Sequence, residues 1–296
     1  MSMRLSTSTN IMDRYKKVQG VVSMEECLIR CAKAGYKVID MNFHDMSNPG
    51  MPLAKDDWEE WVDRIALLAD SLNITFSQSH AHFYNFLNNQ IENREWHEEM
   101  IRRSIIASGK LNVKWMTMHA GNEVESDGFS ASRAKLGNIE YFKSKIEFAI
   151  KNNVGVVIEN MFDPVGQKRR TFTASTENLI DLVDYFNDPM VGICWDFGHA
   201  NLVGGDQCDS LRMVGKRLKS THVSDNHGER DEHLLPFYGN IEWEPIMRTL
   251  KEIGYEYDFT YEITPFLDRV PPEIRDTALV HTVEVGKYLI NLYNEA

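Results

Sequence analysis

Histidine and carboxylate side chains recur along this chain at a nearly constant interval. His80, His119, Glu159, Asp196, His222 and Glu262 are separated by 39, 40, 37, 26 and 40 residues. Asn42 and His44 precede the series, and His82, His199, Asp225, Asp231 and His233 lie close beside its members. Glu159 and Glu262 each close a run of β-branched, aromatic or small residues, GVVIE and DFTYE. Two carboxylates buried near each other are costly unless a cation or a proton compensates. With Asp196 and the imidazole of His222 they make an ordinary donor set for a divalent ion. An imidazole in the set favours Mn2+, Co2+, Zn2+ or Fe2+ over Mg2+, which prefers oxygen and water. Each residue alone would read as a structural histidine or a solvated carboxylate; the conjunction carries the expectation.

Something must bring side chains more than 180 positions apart into one place. Eight strand-like runs are legible: Arg4–Thr9, Lys37–Phe43, Ile74–Ser79, Val113–His119, Gly155–Glu159, Val191–Asp196, Leu218–Val223 and Asp258–Ile263. Amphipathic stretches lie between them. Ser23-Met-Glu-Glu26 is a capping box that starts a helix stopping at Gly35. Asp57–Leu72 and Ser175–Phe186 carry apolar residues at three- and four-residue spacing, Pro245 opens a helix ending at Gly254, and a last helix runs from Pro272 or Glu273 to about Tyr293. Strand–helix alternation of this length predicts one (β/α)8 TIM barrel over residues 1–296. A doubly wound dinucleotide fold loses support, because no Gly-x-Gly-x-x-Gly follows the first run. In a barrel every strand's C-terminal end opens on one face, so the interval along the chain becomes a ring around a pocket.

Composition narrows the partners. The 296 residues carry 32 Lys+Arg against 44 Asp+Glu, a formal net charge of −12, which argues mildly against nucleic acid. Apolar content of 43% and charged content of 26% exclude disorder and fibrous repeats. No apolar run is long enough to span a membrane, and Met1–Lys17 lacks the apolar stretch of a secretion signal. Cys27, Cys31, Cys194 and Cys208 do not make a disulfide framework, and Cys27 and Cys31 read as buried small side chains on a helix. A cytoplasmic protein is expected. The loop aromatics Phe83, Tyr84, Phe86, Phe162, Phe237 and Tyr238 are candidates for an apolar wall around a ligand or for anchoring their loops. Lys168-Arg169-Arg170 is expected in a solvated loop, and Gly204-Gly205 offers a weak anion cradle.

Ile158-Glu159-Asn160, Asp196-Phe-Gly-His199, His222-Val-Ser-Asp225-Asn226, the segment from Asp231-Glu-His233 through LLPFYGNIEW, and Glu262-Ile-Thr-Pro265 occur here in that order. Together they resemble the sugar phosphate isomerase/epimerase branch of the xylose isomerase-like barrel superfamily. The resemblance implies metal ligation by Glu159, Asp196, His222 and Glu262, with both glutamates as the acid/base pair and His199 touching the sugar. It implies proton transfer next to a carbonyl through an enediolate, on a small polyhydroxylated carbonyl substrate, in a branch where homodimers are common. This chain departs from the ketose 3-epimerase pattern at Gly228, where an arginine is usual, and at Val165, where a glutamate is usual. A second resemblance, to the endonuclease IV apurinic-site nucleases, maps a three-zinc ligand set onto His80 (or His82), His119, Glu159, Asp196, His199, His222, Asp231, His233 and Glu262. The basic, aromatic-interleaved loops that would hold a kinked duplex are missing. A metal-dependent lyase of the inosose dehydratase kind uses the same barrel. In the isomerase reading, His80, His119, His199, Asp231 and His233 bind substrate or support the metal ligands.

Overall fold

The computed structural model describes residues 3–12, 22–123, 129–163, 171–264, 266–267 and 270–296. Lys168-Arg169-Arg170, Val165 and Pro265 lie outside these.

Eight short strands form one parallel sheet: β1 (Leu5–Ser8), β2 (Val38–Asn42), β3 (Thr75–His80), β4 (Trp115–Met118), β5 (Gly155–Glu159), β6 (Val191–Asp196), β7 (Leu218–His222) and β8 (Phe259–Tyr261). Neighbours in sequence pair in order, and β1 pairs with β8. A parallel bridge from Val223 to Tyr261, with Val223 N–H donating to Thr260 O, joins β7 to β8 and closes the ring. Every residue of β2, β5 and β6 is buried, as strands covered on both faces must be, which is why they read as apolar runs.

The helices are α1 (Met24–Ala34), α2 (Phe43–Met46), α3 (Trp58–Leu72), α4 (Arg94–Lys110), α5 (Ala131–Lys151), α6 (Thr176–Phe186), α7 (Phe197–Val203), α8 (Gln207–Val214), α9 (Trp243–Glu252) and α10 (Arg275–Glu295). The Ser23 hydroxyl accepts from Glu26 N–H at the start of α1, and Met24, Cys27, Leu28 and Cys31 turn into the core. Gly35 ends α1 in the left-handed region at φ 116°, where a side chain would be strained. Helix α9 begins two residues before the proline expected to open it. Pro245 occupies its third position, where no intrahelical N–H bond is lost. The last helix starts as a 3-10 turn, Pro272–Ile274, and becomes α-helical at Arg275.

Most of the core lies between strands and helices. A separate small cluster of Trp115, Val157 and Cys194 follows the inward alternation of β4, β5 and β6 and fills the barrel interior. Above it the inward positions turn polar. Among the described residues no helix is long and apolar enough to cross a membrane.

Candidate functional site

The C-terminal ends of strands β3 to β8, or the residue just past them, deliver His80, His119, Glu159, Asp196, His222 and Glu262 to one rim. Strand register sets their heights: Asn42 lies beside His80 across β2 and β3, and Asp196 beside His222 across β6 and β7. Glu159 ends β5, and Glu262 follows the last residue of β8. Backbone hydrogen bonds hold Glu262 in place, its N–H donating to Val223 O.

Glu159, Asp196, His222 and Glu262 each present one donor atom, all within 4.8 Å of one another. His222 Nδ1 lies 2.7 Å from Glu159 Oε1 and 3.5 Å from Glu262 Oε2. His222 and Asp196 are fully buried, Glu159 is 1% exposed and Glu262 is 9% exposed. Among the described residues no lysine or arginine ion-pairs with these three carboxylates; only imidazoles do. Asp196 Oδ2 is buried with no hydrogen bond, and Glu159 Oε2 makes none of proper geometry although His119 Nε2 is 2.9 Å away. Three carboxylates around one imidazole, with carboxylate oxygens left over, fit a divalent cation.

The charges respond accordingly. Burial would raise the Glu159 carboxyl, but His222, His119 and His80 outweigh it and hold it well below the usual range. Burial likewise opposes protonation of His222, yet the anionic groups around it carry it well above an ordinary histidine. Asp196 moves the other way, to about 6, because burial dominates and the Glu159 and Glu262 charges add to it despite His199.

The remaining predicted residues also converge. His80 Nε2 lies 3.0 Å from His119 Nε2 and 3.5 Å from Glu159 Oε2, so these three form a second donor group sharing Glu159. His199 Nε2 lies 3.7 Å from Asp231 Oδ2, which is 3.0 Å from His233 Nε2. His199, Asp231 and His233 do not close into a further group within 4.8 Å. His80, His199 and His233 share one device: each donates Nδ1–H to a backbone carbonyl, that of Ala81, Asn160 and Glu262 respectively. Their Nε2 atoms are thereby fixed as the ones that meet neighbours at the rim.

One alternative is corrected, and the places of several other residues are resolved. His82 does not stand in for His80: its Nδ1 shares a hydrogen bond with Ser47 Oγ at 2.6 Å and its Nε2 one with His97 Nδ1 at 2.8 Å, away from the ring. The Asn42 side chain caps α2 by accepting from Asp45 N–H. Of the six loop aromatics, Phe83 and Phe162 flank the rim. Phe83 stacks between His44 and His119 at centroid distances of 3.7 and 4.2 Å, and Phe162 lies 5.0 Å from His199. Tyr84 and Phe86 anchor their loop instead, on His97 and Tyr141. Phe237 and Tyr238 are half exposed.

Two contributors, Asn10 and Asp40, have no counterpart in the sequence reading, and a third, Asp225, is noted there without its role. Asn10, after β1, donates Nδ2–H to Glu262 Oε1 at 3.2 Å. Asp40, in β2, is fully buried with Oδ2 3.6 Å from His222 Nε2; its signal was a lone carboxylate in the apolar run VIDMN. Asp225 organises the loop after β7. Its Oδ1 accepts from the N–H groups of Asn226 and Ile241, and its Oδ2 from Phe237 N–H and Trp243 Nε1–H. A Cβ on Gly239 would sit 2.3 Å from Asp225 Oδ1 and from Asn226 O, so that position admits only glycine. The segment LLPFYGNIEW is thus the wrapping of one buried carboxylate, and Asp231 and His233 stand immediately before it in the same loop.

A family model described as xylose isomerase-like TIM barrel matches residues 28–277. The uncharacterized protein y4fM of Sinorhizobium fredii is 27% identical over 216 residues, covering 70% of this chain and 64% of that protein. A probable endonuclease 4 of Acholeplasma laidlawii is 23% identical over 201 residues, covering 64% of this chain and 66% of that protein. The chain thus spans a little under two thirds of the length of these curated relatives. Among solved structures, a D-tagatose 3-epimerase-like protein superposes with a TM-score of 0.77 at 21% identity, covering 99% of both chains. A D-psicose 3-epimerase crystallised in the presence of D-fructose superposes at 0.73 and 14%, covering 97% of this chain and 99% of that one. At these identities the superpositions establish the shared fold.

Proposed function

This chain belongs to the xylose isomerase-like TIM barrel family, and from that premise we propose that it is a divalent-metal-dependent isomerase or epimerase acting on a small polyhydroxylated ketone. The observation that carries the reading is the ring of Glu159, Asp196, His222 and Glu262, whose donor atoms lie within 4.8 Å of one another in a nearly buried pocket. A divalent ion held there supplies a Lewis acid that makes the hydrogen next to a ketose carbonyl acidic.

Everything else falls to the side chains. Glu159 and Glu262 reach the same pocket from β5 and from the end of β8. In this reading one carboxylate removes the proton beside the carbonyl and the other delivers one, which inverts the carbon or shifts the carbonyl according to where it lands. His233, raised to about 9 by Asp231 against the opposing effect of burial, spends both N–H groups on Glu262 O and Asp231 and so holds the Asp231 carboxylate where it can accept from a substrate hydroxyl. His199 approaches the same hydroxyls through Nε2. Phe162 offers an apolar face to the sugar's C–H bonds, while Phe83, covered on both faces by His44 and His119, holds those imidazoles and helps keep bulk water out. The likeness to sugar 3-epimerase structures supports this substrate class.

The test is solvent-deuterium incorporation into a panel of ketopentoses and ketohexoses, with and without chelator, by the wild type and by Glu159→Gln and Glu262→Gln. Exchange should need a divalent ion and both glutamates. Full exchange by either variant would overturn the two-glutamate mechanism.

A second reading has one observation in its favour: the His80, His119 and Glu159 group sits beside the first, as a multi-ion phosphodiesterase requires. The probable endonuclease 4 relative points the same way. The looser His199, Asp231 and His233 arrangement weighs against it. Nicking of an abasic-site duplex with zinc near three per chain would establish it in place of the first.

A further inference from the structure

Five histidines line the rim, His80, His119, His199, His222 and His233, and three of them have a backbone carbonyl as orienting acceptor. His80, His199 and His233 each donate Nδ1–H to a backbone carbonyl, so that Nε2 is the nitrogen presented. His222 is reversed. Its Nδ1 faces Glu159 and Glu262, and its Nε2 points down into the barrel, where it has no hydrogen bond. The carboxylate it meets there is Asp40, whose Oδ2 is 3.6 Å away. Asp40 is the third residue of β2, paired with Ser8 on one side and Gln78 on the other. It is fully buried, and neither of its oxygens has a hydrogen-bond partner. Two fully buried groups of complementary chemistry therefore face each other across the barrel, each otherwise unpartnered.

We propose that Asp40 is the positioning residue for His222: with an ion in the ring, the 3.6 Å contact shortens and Asp40 Oδ2 becomes the acceptor for Nε2–H, which keeps Nδ1 turned toward the ring and makes that nitrogen a stronger donor to a divalent ion. The proposal rests on reading the ring as a divalent-ion site. An imidazole binds a cation through one nitrogen only when the proton resides on the other, and a carboxylate at that other nitrogen both fixes the tautomer and raises the basicity. A backbone carbonyl, which serves His80, His199 and His233, orients without contributing a full charge. The charged acceptor falls to the one histidine of the four-donor ring. Cys194, whose Sγ lies within 4.8 Å of a His222 nitrogen, is a further polar group beside the imidazole, and as a thiol it is a weaker acceptor than a carboxylate.

The experiment titrates Mn2+ into metal-free protein and follows free Mn2+ by electron paramagnetic resonance, for the wild type, Asp40→Asn, Asp40→Ala, Cys194→Ser and Ser6→Ala. Asp40→Ala should bind Mn2+ about tenfold to a hundredfold more weakly. Asp40→Asn keeps an acceptor oxygen and should lie between it and the wild type. Cys194→Ser and Ser6→Ala, the latter a buried hydroxyl lower on β1, should bind as the wild type does. The metal-free Asp40 variants should melt no lower than the parent, since they lose a buried carboxylate without a hydrogen bond, whereas a purely structural role would lower the melting temperature and leave affinity alone. Wild-type affinity in Asp40→Ala, or weakening in Cys194→Ser alone, overturns the proposal. A second readout needs no substitution: in the Zn2+-loaded wild type, long-range 1H–15N NMR should show His222 protonated at Nε2 with slow exchange, and protonation at Nδ1 overturns it. A wild type that binds neither Mn2+ nor Zn2+ brings down the ion-site reading itself, which is a different result from binding that is indifferent to Asp40.

Discussion

Glu159 and His222, 63 residues apart on β5 and β7, meet at 2.7 Å between Oε1 and Nδ1, across the strand that carries Asp196. The contact is between a carboxylate held well below its ordinary range and an imidazole held well above it. In the metal-free protein the imidazolium is the counter-ion for the carboxylates around it.

A cation entering the ring must therefore displace a proton from His222. Because the folded imidazole holds its proton beyond neutrality, affinity for Mn2+ or Zn2+ should rise as pH rises from 6 to 8, by up to about tenfold per unit for one displaced proton. Calorimetric titrations in two buffers of different ionisation enthalpy should show proton release near one per ion. An affinity indifferent to pH over that range would mean that His222 is not a ligand.

Removing donors should separate one ion from several. His222→Ala strips the four-donor group and should abolish both tight binding and the rise in melting temperature that a divalent ion produces, about 2.7 kcal/mol at a hundredfold excess over Kd. His119→Ala touches only the group built on His80 and Glu159. In an isomerase that variant should retain one ion per chain. Should it lose an ion from a starting count of two or three by metal analysis, the phosphodiesterase reading gains and the isomerase reading recedes.

The barrel was legible because its strands are short apolar runs and four of its helices carry clear stripes, as α1, α3, α6 and α9 do. Helices α4 and α5 were not singled out, since their buried faces include Ser104, Ser108 and Asn138, polar side chains that bond locally to backbone. The rim residues were legible by their interval, which strand geometry converts into a ring. Asp40 and Asn10 are not, because each acts on a side chain more than 180 residues away in the chain, Asp40 across the barrel on His222 and Asn10, just after β1, on Glu262 at the end of the neighbouring β8, and no local spacing records such a partner. His82 is an alternative to His80 in the sequence because the two lie only two residues apart. Only coordinates show that His80 ends β3 facing inward while His82 lies past it, bonded to Ser47 and His97.

The loop after β7 should depend on Asp225 more than on any residue at its tip. Asp225→Ala leaves three backbone N–H groups and one indole N–H without their acceptor, and hydrogen bonds to a buried charge are worth about 1.5–3 kcal/mol each before relaxation. A loss of about 3 kcal/mol or more in urea unfolding is expected, with faster amide exchange across residues 226–242. Gly239→Ala attacks the same contact from the other side and should cost about 1–3 kcal/mol through overpacking against Asp225 and Asn226. Near-parental stability and exchange in both variants would show that the loop is held by other contacts.

His82 gives the fold a pH dependence separate from the rim. Its ring is 5% exposed and lies among His97, His44, Trp96 and Ser47. Burial, then the proximity of His97 and His80, lowers its pKa to about 4. In the unfolded chain the same group titrates near the ordinary histidine value of about 6.5. Between those values the unfolded chain binds a proton that the folded protein refuses. The stabilisation is thus complete above about pH 6.5 and declines as pH falls toward 4, at up to about 1.4 kcal/mol per pH unit. His82→Gln removes that titration at a cost of about 1–3 kcal/mol at pH 7, from lost hydrogen bonding to Ser47 and His97. Urea unfolding at pH 7.5, 6 and 4.5 should show wild type and variant converging as the solution is acidified. Parallel loss of stability in the two proteins would mean that His82 is protonated in the folded state, in contradiction to its burial.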